Sequence, residues 1–315
     1  MRIPTVNHPA WSRHVKTIAL FLALSALALP AHAAELTGTL KKIKDSNRIV
    51  LGVRDGGPPF SYIDNNQAYI GYTIDICSKI VDAIKTEVGA PDLKVEMLPI
   101  TSSTRIPLMT NGTIDLECGS TTNNPERQKQ VTFTNAHFVT ASRFASKKAQ
   151  KIETIDDLKG KSVVSVAGSV NIVQINKLNA ERKLGLTIQT AKDTVEAFLL
   201  LETDRAAAFV MDDVQLSILI ALSKDPAAYT ISTEAFGPPE PYGIMLRRND
   251  EPFKAVADRT TADLYRSPEI GAIYRKWFES PVPPKGINYR FPMPAELKRA
   301  FEHPTDSPDP AAYKG

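Results

Sequence analysis

The chain is poor in the side chains that do most metal and nucleophile chemistry. Of its 315 residues only two are cysteine and five are histidine. Two thiols cannot build a cysteine-rich zinc site, and no other metal-ligand spacing stands in for one. The sequence also lacks a G-x-S-x-G elbow, an S-x-x-K pair, an H-E-x-x-H helix and a Walker loop, so the common hydrolase, zinc-protease and nucleotide-binding signatures are missing. No metal or cofactor is expected. No apolar run beyond residue 33 is long enough to cross a bilayer. The two cysteines, Cys77 in "GYTIDICSKIVDAI" and Cys118 in "TIDLEC", sit in apolar contexts and are expected as buried free thiols. An oxidising compartment would also permit a disulfide.

What is present begins with a leader. "MRIPTVNHPAWSRHVK" carries Arg2, Arg13 and Lys16 and no acid, "TIALFLALSALAL" is apolar, and Ala31 and Ala33 provide small residues before a break. This is the pattern of a secretory signal peptide spanning 1–33, so the rest is expected to be exported. The leader holds three of the 38 Lys and Arg residues and none of the 35 Asp and Glu, so 35 of each remain. The mature chain therefore has no net charge with which to argue for nucleic acid or an acidic membrane. His8, His14 and His32 also fall in the leader, leaving His137 and His303.

Beyond the leader the elements alternate. Residues 48–54 read as a strand, 74–88 as a helix with Ile76, Ile80, Ile84 and Val88 at helical spacing, and 93–100 as a strand. A short helix over 104–112 and the strand "IDLECGS" follow. Strand, helix, strand, helix, strand predicts a doubly wound α/β unit. The pattern restarts after an extended segment at 137–147. It gives a short helix, strand and helix over 154–178, then strand, turn and helix over 203–223. A second extended segment spans 238–248, an amphipathic helix 268–280, and a Pro-rich polar tail closes the chain. Two extended segments bracketing an α/β unit predict an inserted domain: one lobe from 34–140 and 240–315, the other from 141–239, joined by two antiparallel hinge strands. His137, in the first of these, is expected to pack; His303, in the tail, to be solvated.

In open α/β sheets ligands lie beyond the carboxyl ends of the strands, and there the sequence repeats itself. "CGSTTNNPER" leaves a strand through Ser120 and Thr122 and places Arg127 a turn later. "GVRDGG" ends a strand on Arg54, "PITSSTRIP" flanks an exit with Ser102 and Arg105, "SVAGSVNIV" opens a helix at Ser169, and "AFVMDD" puts Asp212 after a buried strand. A forked guanidinium suits a carboxylate, and a helix N-terminus offers amide hydrogens to an anion. Three arginines and one aspartate fit a zwitterion with a second carboxylate. A neutral ligand would leave Arg54 and Arg105 poorly compensated.

These motifs, with "PFSYIDNNQAYIGYTIDIC", "YGIMLRR" and "YRKWFESPVPPK", resemble the periplasmic amino-acid-binding proteins of ABC importers, the glutamate/aspartate subgroup above all, over nearly all of the mature chain. The resemblance implies a type II periplasmic binding fold of two doubly wound α/β lobes joined by hinge strands, capturing L-glutamate or L-aspartate as a monomer and delivering it to transmembrane permease subunits. It implies that Arg127, Ser120 and Thr122, with Ser169 and the amide of Val170, hold the α-carboxylate. Asp212 would hold the ammonium, and Arg54, Ser102 and Arg105 the side-chain carboxylate. Val170 stands where the subgroup usually has Thr, and Thr194 where a His of the nearest relatives reaches the side-chain carboxylate. An enzyme on the same fold, a cyclohexadienyl or arogenate dehydratase, would also want arginines but needs a proton donor, and no carboxyl beyond Asp212 is expected among the strand ends. A sensor domain feeding another membrane partner is the third class, which neighbouring permease and ATPase genes would exclude.

Overall fold

The computed structural model describes residues 1–5 and 35–314. The expected leader, apart from its first five residues, lies outside them. Among the described residues no helix is long and apolar enough to cross a membrane.

Two five-stranded sheets organise the molecule. In the first, Arg48–Val53 is paired in parallel with Lys94–Pro99 on one side and Leu116–Glu117 on the other; Met245–Arg247 then runs antiparallel between Leu116–Glu117 and Val131–Phe133. The second repeats this arrangement. Ser162–Val166 lies in parallel between Thr187–Ala191 and Ala208–Asp212, and Ser142–Lys147 runs antiparallel between Ala208–Asp212 and Tyr229–Ile231. The central strands are buried along almost their whole length, as expected where helices cover both faces. Helix Tyr72–Val88 turns Ile76, Ile80, Ile84 and Val88 into the core and stops at Gly89, whose left-handed φ of 62° lets its amide cap Lys85 and Thr86.

The segment expected as one extended stretch at 137–147 divides in two. Phe138–Thr140 pairs only with Glu240–Tyr242, as a two-stranded antiparallel ribbon, whereas Ser142–Lys147 belongs to the second sheet. The ribbon carries the chain from one sheet to the other and back. Phe138 packs on Phe60, Tyr242 and Phe278 with ring centroids 5.1–6.0 Å apart. His137 is fully buried among Phe60, Tyr72 and Tyr242, and burial pushes it down to about 3, so it stays neutral at any physiological pH.

Two expectations need correction. Cys77 and Cys118 are not free thiols: helix Tyr72–Val88 packs against the exit of Leu116–Glu117, the two Cα atoms come within 6.2 Å, and the sulfurs are bonded. The tail is not merely polar. It contains helix Ala295–Glu302, whose Leu297, Ala300 and Phe301 are buried, and further on it buries Tyr313. It is tied back to the ribbon's neighbours by Asn123 donating to the Asp306 carbonyl at 2.8 Å and by the Ala136 amide donating to Thr305 at 2.9 Å. Prolines on either side hide the helical spacing of those three apolar residues. His303 is exposed.

Candidate ligand-binding site

The carboxyl ends of both parallel triplets open on one cavity of about 150 Å³, an amino-acid-sized rather than a drug-sized space. From the first sheet it receives Arg54 after Arg48–Val53, Ser102 after Lys94–Pro99, Arg105 at the start of the next helix, and Ser120 and Thr122 after Leu116–Glu117. From the second come Ser169, Val170 and Asn171 after Ser162–Val166, Lys192 and Thr194 after Thr187–Ala191, and Asp212 with Gln215. Nine of the ten predicted site residues line this space. The tenth, Arg127, sits one layer behind. It belongs to the short helix Pro125–Gln128, capped by Asn124, and its Nη1 donates to the Thr122 carbonyl at 2.7 Å and its Nη2 to the Gly168 carbonyl at 3.4 Å.

The arginines are crowded. Arg105 is only 3 % exposed, and burial together with the nearby Arg127 and Arg54 holds its guanidinium well below its usual basicity, with Glu117 opposing. Burial also lowers Arg127, against the pull of Glu240, Glu117 and Asp212. Both Nη atoms of Arg54 donate to Ser102 Oγ at 3.2 Å. Such a set favours an anion that restores the lost solvation.

The expectation that Asp212 is the sole carboxyl near the strand ends is overturned: Asp55 and Asp193 line the same cavity, accepting from the Tyr69 hydroxyl and the Glu196 amide, and two further acids lie behind its walls. Glu117 is fully buried behind the arginines: its Oε1 lies 3.5 Å from Arg54 Nε, and its Oε2 accepts from Thr121 Oγ1 at 2.6 Å, which itself accepts from Arg105 Nη1 at 2.7 Å. Arg54 and Arg105 are therefore partly compensated and held in position before any ligand arrives. Glu240, on the ribbon, is the second; neither of the two lines the cavity. Asp212 accepts from Asn171 Nδ2 at 2.8 Å and from the Tyr242 hydroxyl. Burial raises its carboxyl, and those two hydrogen bonds and Arg127 oppose the rise.

Several contacts cross the cleft. Gln215 Nε2 donates to Ser120 Oγ at 2.6 Å, Thr194 Oγ1 to the Gly56 carbonyl at 2.8 Å, and Arg105 Nη2 to the Gly168 carbonyl at 3.3 Å. Thr194 thus spends its hydroxyl on the opposite wall. Gly168, at φ +76°, comes so close that a Cβ there would lie 2.8 Å from the Ser102 carbonyl group. Ser169 caps the following helix by accepting from the Ile172 amide at 3.1 Å, which aims the first turn of that helix at the cavity.

A family model for bacterial extracellular solute-binding proteins, family 3, matches residues 49–280. The chain belongs to that family. Among curated relatives of this family-3 protein, an L-glutamate/L-aspartate-binding protein of Pseudomonas aeruginosa is 47% identical over 288 residues, covering 90% of this chain and 94% of the relative. A glutamate/aspartate import solute-binding protein of Escherichia coli K12 is 44% identical over 299 residues, 93% of this chain and 98% of the relative. Among solved structures, an ancestral arginine-binding protein bound to arginine has a TM-score of 0.66 at 27% identity, over 74% of this chain and 98% of that one. The solute receptor for L-cysteine of Neisseria gonorrhoeae, with a TM-score of 0.65 at 23% identity over 76% of this chain and 92% of that one, matches in fold.

Sequence reasoning missed Asn171, Lys192 and Gln215 as lining residues and Glu117 as the support of two arginines. Gln215 lies one turn beyond Asp212 in a helix that starts directly after the strand, with no turn between them. That spacing was the available signal. Lys192 stands exposed at the mouth beside Thr194, its Nζ 3.9 Å from Asp193.

Proposed function

We propose that this family-3 protein is the periplasmic substrate-binding component of an ABC importer, a monomer that captures L-glutamate or L-aspartate between two lobes and presents it to transmembrane permease subunits. The observation that carries the reading is the cavity's polarity. Arg54 and Arg105 stand with hydroxyls on one wall, Arg127 holds the Thr122 and Gly168 carbonyls from behind, and Asp212 lines the other wall. The names of the relatives at 44–47% identity support the same ligand class.

In this reading the lobes are 34–140 with 240–315, and 141–239. Ser120, Thr122 and the amide of Val170 take the α-carboxylate with Arg127 behind them, Asp212 takes the ammonium, and Arg54, Ser102 and Arg105 take the side-chain carboxylate. The ligand favours the closed arrangement by the contacts it adds on the second wall. In this reading the protein acts as a binder: of the carboxyls lining the cavity, Asp55 accepts from the Tyr69 hydroxyl, Asp193 from the Glu196 amide and Asp212 from Asn171 and Tyr242, while Glu117 and Glu240 lie outside it, so no carboxyl is left over to protonate a leaving group. A calorimetric panel of glutamate, aspartate, glutamine, asparagine and arginine tests the assignment. Acidic ligands are expected near or below micromolar, about −8 kcal/mol; preference for a basic or amide ligand would overturn it, and conversion of prephenate to phenylpyruvate would replace binder by enzyme.

A further inference from the structure

Glu240 lies outside the cavity yet touches both of its walls. It opens the return strand Glu240–Tyr242. One carboxylate oxygen accepts from Gln174 Nε2 at 2.6 Å, on the helix that starts at Val170; the other accepts at 3.3 Å from the hydroxyl of Thr122, a lining residue of the first wall. Two charged groups face it, the Arg127 guanidinium from Pro125–Gln128 and the Asp212 carboxylate from the end of Ala208–Asp212. Tyr242, two residues along the same strand, donates its hydroxyl to Asp212. The paired strand places Thr140 opposite Glu240. The turn Pro310–Tyr313 packs on the return strand, and its Tyr313 hydroxyl is spent on the carbonyls of Thr305 and Ser307. Asp213 is paired with Arg143 at 3.7 Å.

The charges around the ligand space then make a definite balance. Three buried or nearly buried guanidiniums, on Arg54, Arg105 and Arg127, stand against the carboxylates of Glu117 and Asp212; Lys192, Asp55 and Asp193 also line the space but are exposed or partly exposed to solvent at its mouth, which screens them and leaves them outside the buried sum. An acidic amino acid brings two carboxylates and one ammonium. With Glu240 neutral the buried assembly sums to zero; with Glu240 ionised it holds one uncompensated negative charge, which a low-dielectric interior disfavours. A neutral amino acid reverses the preference, because ionised Glu240 then completes the balance. Resting on the acidic-ligand reading, we propose that Glu240 is a further specificity-determining residue that makes capture proton-linked: as glutamate or aspartate enters, the Glu240 carboxylate takes one proton from solvent, and as the ligand leaves, it gives the proton back.

Burial, and then Asp212, push Glu240 up to about 7, while Arg127, Thr122 and Gln174 resist. The sign follows from linkage. A net negative ligand raises this carboxyl further, so affinity is full below about pH 7 and is lost as pH rises, on the order of 20-fold between pH 6.5 and 8.5.

The test is calorimetry of the mature protein with glutamate at pH 7.5, in phosphate and in Tris, whose different ionisation enthalpies reveal proton exchange, together with the affinity at pH 6.5 and 8.5. Wild type should take up more than about half a proton, and Glu240→Gln close to none with its pH slope flattened. Glutamate bound without uptake would overturn the linkage and leave the acidic-ligand reading standing. Uptake that persists in Glu240→Gln would move the proton to Asp212 and equally overturn it. Failure of any acidic amino acid to bind would end both. If Glu240→Gln does not fold, Gln174→Leu, which removes a hydrogen bond that steadies the ionised form, must move the midpoint of the pH dependence upward; an unmoved midpoint refutes the proposal.

Discussion

The wall built on the first sheet presents Arg54 and Arg105 with a fringe of hydroxyls, and it is braced from behind by Glu117, Thr121 and the Cys77–Cys118 bond. The wall built on the second sheet, with the same strand order, presents Asp212, Asn171 and the start of a helix, and no covalent bond holds it. One topology has thus been furnished twice with opposite chemistry. The cationic wall is suited to receive carboxylates. Under the proposed function the second wall would supply the acceptor for an ammonium and the amides that complete the grip. On that proposal, selectivity for charge belongs to the first wall and selectivity for an amino group to the second.

That division can be broken experimentally, beginning with the residue that serves both walls. Arg127→Ala removes donors to the Thr122 and Gly168 carbonyls and should cost every amino acid ligand at least about 4 kcal/mol, to the edge of detection by calorimetry. Cys118→Ser tests the bracing: opening a loop of 41 residues should lower the unfolding free energy by about 4 kcal/mol in a urea titration, and an unchanged midpoint would show that the first wall does not need its bond. Arg105→Ala should weaken acidic ligands by about 3 kcal/mol and amide ligands by clearly less; equal losses would refute the charge selectivity assigned to this wall. On the opposite side, Asp212→Asn should weaken glutamate by about 2 kcal/mol and spare glutarate, which has no ammonium. The smallest effect expected is from Thr194→Val, about 1 kcal/mol, through loss of its hydrogen bond to Gly56 rather than of a ligand contact.

The exposed chemistry of the cavity was legible in the sequence because each piece of it follows a strand. Hydroxyls, guanidiniums and Asp212 at the carboxyl ends of apolar runs reveal their common location once the α/β alternation is recognised. The layer behind them was not legible. Glu117 looks like an ordinary charge in "TIDLEC", and only the packing of Arg54 and Thr121 around it shows a buried acid. Glu240 lies in a Pro-rich break, and its two partners are 66 and 118 residues away. The disulfide was concealed for a related reason: apolar neighbours identify a buried sulfur but give no information about which helix will lie against which strand. Arg127 was expected to share a carboxylate with Thr122; it lies beside Thr122 but one layer back, a place that depends on the turn of a four-residue helix.

Gly168 carries a practical consequence. Its left-handed backbone and the 2.8 Å gap to the Ser102 carbonyl group leave no space for any side chain. Alanine at this point would strain its own backbone and press on that carbonyl, pushing the two walls apart without adding a ligand contact. A fluorescent amino-acid reporter carrying that change would work at higher concentrations than the parent while keeping the same recognition surface.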